Sequence, residues 1–168
     1  NSLHGNAITA VNNSAVTLED GTRLVNSHIL EGDDTSSLEI AMSEDLAVVV
    51  RGFDTFTHSG TGAVIFWGGS SVPKVENKGI LKIAPNTTFT TDIYTQTQDA
   101  SLYLYAPSKS SSEFIPLWIN EKATLGGELT IDFSNISLPG KYAYIHVGER
   151  EGDFSKVSYI YDESIYSI

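Results

Sequence analysis

Three phrases near the C-terminus constrain this chain most: Ala123-Thr-Leu-Gly-Gly-Glu-Leu-Thr-Ile-Asp-Phe-Ser134, Pro139-Gly-Lys-Tyr-Ala-Tyr-Ile-His-Val-Gly148 and Gly152-Asp-Phe-Ser-Lys-Val157. A Gly-Gly pair, a Pro-Gly turn and a loop ending in Gly-Asp-Phe each open into alternating apolar and polar residues, the period-2 pattern of a half-buried strand. Leu129, Ile131 and Phe133 are expected on one face, and Glu128, Thr130 and Asp132 on the other. The remainder of the chain offers no sustained i, i+3, i+4, i+7 stripe; the nearest, from Ser37 to Asp45, breaks at Met42-Ser43. With 7 Phe, 8 Tyr and 2 Trp among many Thr, Ser, Val and Ile, the composition favours pleated surfaces. The chain is read as all-β.

Strand kernels of the form apolar-x-apolar occur at Val16-Thr-Leu18, Leu38-Glu-Ile40, Val64-Ile-Phe66, Leu81-Lys-Ile83, Leu102-Tyr-Leu104 and Leu129-Thr-Ile131. Their starts are 22, 26, 17, 21 and 27 residues apart, close to one coil of a solenoid. A β-sandwich with two strands per interval would give the same spacing. Local phrases favour the solenoid. Asn12-Asn-Ser-Ala-Val-Thr-Leu-Glu-Asp-Gly-Thr22 and Val75-Glu-Asn-Lys-Gly-Ile-Leu-Lys-Ile-Ala-Pro-Asn-Thr87 both place Asn or Gly where a coil corner needs a left-handed backbone.

These phrases resemble coils of bacterial autotransporter passengers. So does Ser59-Gly-Thr-Gly-Ala-Val-Ile-Phe-Trp-Gly68, and the three C-terminal phrases resemble the "GGxLxVxF… GxYxLIxxG… GxFxxV" run that ends such passengers. The resemblance implies a right-handed parallel β-helix with a C-terminal hairpin cap, residues 1–112 forming coils and 113–168 the cap of the same domain. It also implies a folding-cap (autochaperone-like) role for Gly126, Gly127, Leu129, Ile131, Phe133, Gly140, Tyr142, Ile145, Gly152 and Phe154. The implied function is that of a non-enzymatic adhesin-type segment at the bacterial cell surface, associated with virulence. Implied partners are a host receptor or surface glycan, its own translocator barrel and the outer-membrane assembly machinery. The chain departs from that family at Phe114-Ile-Pro-Leu-Trp-Ile119, where an Asp-x-Leu-x-Val coil is common. The competing expectation is a secreted β-sandwich that binds carbohydrate or protein.

Charge and chemistry narrow the field. Ten basic against 21 acidic residues give a net charge of −11. The basic residues are scattered, so nucleic-acid binding is not expected. Without cysteine there is no disulfide framework and no thiolate metal site. The start at Asn-Ser-Leu-His, without Met, points to a mature region or a piece of something longer. His4, His28, His58 and His146 show no metal-ligand spacing and no Gly-x-Ser-x-Gly elbow accompanies them, so neither catalytic nor metal residues are assigned and no cofactor is expected. Glu31, Asp33 and Asp34 lack the alternate spacing of a calcium loop and read as an acidic turn. Tyr103 and Tyr105 share a face opposite Leu102 and Leu104. With Tyr144 and Tyr159 they are the candidate ligand-facing aromatics, the alternative being simple cross-strand pairing. Trp67 and Trp118, each inside an apolar run, are expected in the core.

Overall fold

The computed structural model describes residues 6–25, 27–106, 115–134 and 142–161. These form β1 (Ile8–Thr9), β2 (Ala15–Glu19), β3 (Ile29–Glu31), β4 (Ser37–Ala41), β5 (Leu46–Arg51), β6 (Thr55–His58), β7 (Ala63–Phe66), β8 (Lys74–Asn77), β9 (Ile80–Ile83), β10 (Phe89–Gln96), β11 (Ser101–Tyr105), β12 (Leu117–Leu125), β13 (Glu128–Asp132), β14 (Ile145–Gly152) and β15 (Lys156–Ile160), with no helix among the described residues. The odd-numbered strands make an eight-stranded sheet in chain order and the even-numbered strands a seven-stranded one. Every named strand pair is parallel. A parallel neighbour cannot be reached by a tight turn. The chain therefore leaves for the other sheet after each strand and returns one rung later. This arrangement is consistent with a parallel β-helix or solenoid.

Two expectations are corrected by this pairing. The β-sandwich alternative presumed antiparallel neighbours, and the described strands have none. Among the described residues the expected C-terminal hairpin cap is likewise not formed: β13 pairs with β11 and β15, while β14 pairs with β12. Gly126-Gly127 and Gly152 mark corners where the chain changes sheet rather than reversals, and Pro139-Gly140 lies outside the described residues. A turn residue says that the backbone bends, but not which strand it meets next. The expected boundary between residues 112 and 113 lies outside the described residues. Strands on either side of it share the same two sheets, since β10 pairs with β12 and β11 with β13.

The six kernels all fall in strands, but not all in one sheet. Leu38-Glu-Ile40 lies in the seven-stranded sheet and Val64-Ile-Phe66 in the eight-stranded one, so that interval spans one and a half rungs. True returns, read from paired residues, run from 17 residues (Val64 to Leu81) to 29 (Tyr94 to Ala123). Asn12, Asn13 and Asn86 adopt the left-handed conformation expected of corners, with φ of 59°, 60° and 55°.

Alternation builds the core as columns. Val64, Leu81, Leu102 and Leu129 are in register along the odd sheet, as are Phe66, Ile83, Leu104 and Ile131. All eight are buried. Facing them, Leu38, Phe56, Val75, Tyr94 and Ala123 line the even sheet. The two sides are bridged by aromatic contacts, Phe56 edge-on to Phe66 at 5.1 Å and Phe66 stacked on Phe89 at 4.5 Å. Each fully buried Val, Leu, Ile or Phe among them contributes about 1.5–3 kcal/mol. The columns run out at β15. Val157 and Tyr159 continue them in register with Leu129 and Ile131, yet are 43% and 54% exposed, because no further described rung covers them.

Candidate functional site

The expected folding-cap residues, apart from Gly140, which lies outside the described residues, come together in the last rungs. Leu129 and Ile131 point into the core. The Phe133 ring meets Tyr144 at 5.7 Å and Tyr159 at 6.0 Å, and Tyr142 stacks on Tyr144 at 6.5 Å. Burial, with Tyr142 and Tyr159 close by, pushes the Tyr144 hydroxyl up to about 12. Ile145 and Phe154 pack, half-buried, against the core cluster. Gly126 and Gly127 form the corner between β12 and β13. Gln96 donates from Nε2 to the Gly126 carbonyl at 2.8 Å, and Ser155 donates from N and Oγ to the Gly127 carbonyl, each at 2.7 Å. The corner thus ties three successive rungs together. Gly127 has φ of +61°, and a Cβ there would stand 2.0 Å from the Ala100 carbonyl oxygen.

The candidate ligand-facing tyrosines are not one surface. Tyr103 and Tyr105 lie on the outer face of β11, half-buried, their rings 5.0 Å apart. Lys82 sits over the Tyr103 ring at 5.3 Å and the Tyr103 hydroxyl donates to Asp132. Burial and that hydrogen bond raise the Tyr103 hydroxyl well above its ordinary value. Asp132, expected on the solvent side, is itself buried. Burial raises its carboxyl, but hydrogen bonds from Ser134 and Tyr103 outweigh this and leave it below the usual carboxylate range. These tyrosines are therefore largely satisfied by their own sheet. Tyr144 faces Phe133, and Tyr159 is an inner-column residue at an open rung. Asp33 is also committed: Asn12 N, Thr35 and Ser36 all donate to it, so the acidic turn ties one rung to the previous one.

A third group was not anticipated. Trp67 and Trp118, expected inside, are 50% and 36% exposed. In β12 the inward positions are Leu117 and Ile119, both fully buried, so alternation turns Trp118 outward. Its indole stacks on the imidazole of His146, the next residue in register, at 4.0 Å and 21°. On the other side the register partner is Thr90. Pairing shifts register between Thr91 and Ile93 and again between Ile119 and Lys122. Such bulges bend a strand and re-aim side chains. Here they set Asp92 and Asn120 beside the ring column. Trp118 donates from Nε1 to Asn120 Oδ1 at 3.1 Å, and Asn120 donates from Nδ2 to Asp92 Oδ1 at 2.7 Å. Thr90, Asp92, Trp118, Asn120 and His146 thus form a shelf on the outer face of the seven-stranded sheet.

His28 and His58 use Nδ1 against the carbonyls of Ala47 and Ile40, and His146 lies on an indole. Among the described residues, no cluster of three His, Cys, Asp or Glu is placed to hold a metal ion. Comparison of the chain with protein-family models, with curated proteins and with solved structures finds no match.

Proposed function

We propose that this chain is a segment of an exported, non-enzymatic surface protein of adhesin type, a right-handed parallel β-helix whose C-terminal rungs nucleate folding of the rest. The observation that supports this best is the gradient of strand pairing. Two residues pair between β1 and β3 and five between β2 and β4, but seven pair between β12 and β14. A rung cannot bury its own apolar face alone, so propagation along a stack starts wherever one rung pair is most self-sufficient. The corner ties of Gln96, Gly127 and Ser155 strengthen that end. The resemblance of the C-terminal phrases to passenger ends supplies the biological context, with a translocator barrel and the outer-membrane assembly machinery as partners during export.

Pulse-labelled hydrogen exchange during refolding from urea tests the nucleation. Amides of Leu117–Leu125 and Glu128–Asp132 should become protected before those of β2 and β4. If β2 and β4 are protected first, the nucleus lies elsewhere and the proposal fails. Surface display is tested separately, with antibody on intact and on permeabilised cells of the source organism. Labelling only after permeabilisation would refute it.

A further inference from the structure

The shelf on β10, β12 and β14 is built more carefully than a solvated sheet face requires. The Trp118 ring is fixed in two ways, by the Nε1 hydrogen bond to Asn120 and by the stack on His146. Asn120 and Asp92 hold one another in turn. Capacity is left over. The second carboxylate oxygen of Asp92, the second amide N–H of Asn120 and both ring nitrogens of His146 have no hydrogen-bond partner among the described residues. One indole face is covered by His146, while the residue in register on the other side is Thr90, whose side chain is short. The result is an ordered, part-exposed aromatic surface beside an amide–carboxylate pair with free valences.

We propose that this shelf binds a sugar ring of an uncharged glycan. The assignment deepens the surface-binding part of the function proposed above. It rests on that reading for why the protein would meet glycans, but not for the chemistry. A pyranose presents an apolar C–H face and a rim of hydroxyls that both donate and accept. The C–H face packs on indole or imidazole by dispersion and burial. The hydroxyls need a carboxylate to accept from them and an amide N–H to donate to them. Because the ring and its polar neighbours are already fixed, little side-chain ordering opposes binding. The net charge of −11 and the carboxylate of Asp92 act against sialylated, sulfated or phosphorylated ligands.

The test uses the full chain. A glycan array carrying neutral β-linked gluco-, galacto- and manno-oligosaccharides beside sialylated and sulfated ones identifies the class. Tryptophan fluorescence titration with the retained oligosaccharides gives the affinities. At least one neutral oligosaccharide should bind. Trp118→Ala should weaken it by about tenfold or more, and Asn120→Ala by about fivefold, as expected for an anchor and its polar neighbour. Trp67→Ala, on a different rung, should leave it unchanged. Should Trp118→Ala fail to fold by circular dichroism, Asn120→Ala decides the matter, since an exposed amide is not needed for the core. Retention of no neutral oligosaccharide, retention of anionic ones only, or binding undiminished in both variants would overturn the proposal. An empty array alongside surface-labelled cells would remove the sugar site and leave the surface reading standing; the converse pattern would do the opposite.

Discussion

His58, Asn77 and Gln96 occupy inward positions that the fold otherwise gives to Leu, Ile, Val and Phe. They stack in register on successive rungs, each 19 residues after the last. Asn77 Nδ2 donates to the Ser101 carbonyl at 3.0 Å, and Gln96 Nε2 to the Gly126 and Glu128 carbonyls at 2.8 and 3.0 Å, so buried corner carbonyls are satisfied by interior amides. His58 begins this ladder, fully buried, with Nδ1 on the Ile40 carbonyl and Nε2 without a partner among the described residues. Burial lowers its pKa, and the nearby backbone of Ile40, Gly62 and Ile80 offsets this only in part. A depressed imidazole pKa means that the fold holds the neutral ring. Stability is therefore fully present above about pH 6.5, where the unfolded ring is neutral too, and is lost as the unfolded ring gains a proton that the folded one resists. The urea midpoint should fall between pH 7.5 and 5.5, and the fall should be smaller in His58→Asn, which keeps a polar side chain in the ladder. Equal falls in both proteins would show that His58 is not responsible. The ladder was legible in principle. Phe56-x-His58, Val75-x-Asn77 and Tyr94-x-Gln96 repeat at a constant interval, but polar residues in an alternating run are assigned outward by default. Trp118 was hidden by the opposite habit, since a run such as Leu117-Trp-Ile119 reads as continuously apolar until its alternation is taken literally.

The strands themselves follow from alternation, and all six kernels fall within them. What alternation could not specify was pairing. A period-2 pattern serves parallel and antiparallel sheets alike, and Gly-Gly or Pro-Gly is common to hairpins and coil corners. The distinction lies in contacts about 20 residues away, which no local phrase contains. Gly127 shows what such a corner demands. Its left-handed φ and the 2.0 Å approach of the Ala100 carbonyl to a Cβ there make side chains incompatible in two independent ways. Gly127→Ala should cost more than about 2 kcal/mol, seen as a lower urea midpoint with unchanged slope. Gly21, also at positive φ but with nothing near its Cβ position, should tolerate alanine far better. Comparable losses at both sites would mean that the corner relaxes and the close approach does not matter. Within β13, Leu129→Asp should destabilise by several kcal/mol, because an unpaired carboxylate would replace a buried member of an apolar column. Phe133→Asp should cost less, its ring being only half-buried. Chemical melts of the two variants, compared with the parent, check both the sign and the order.

At the scale of the molecule, the described strands form two parallel sheets stacked in chain order from β1 to β15, and each rung touches chiefly the rung before and the rung after. The inter-strand hydrogen bonds therefore all run in one direction, along the stack. A tether pulling the two ends of the chain apart loads them one rung at a time, at the last rung only, like a zipper rather than a clamp. Each rupture should release one return of chain. With 17 to 29 residues per return and at most about 3.5 Å per residue, the steps should measure about 60 to 100 Å of contour length in an optical trap. The longest steps should come from the C-terminal returns. Rupture in a single event spanning the whole chain would mean that the rungs fail together. If the steps are resolved, the fold behaves under load as an extensible tether that yields in instalments and stays anchored, a mechanical property set by parallel pairing alone.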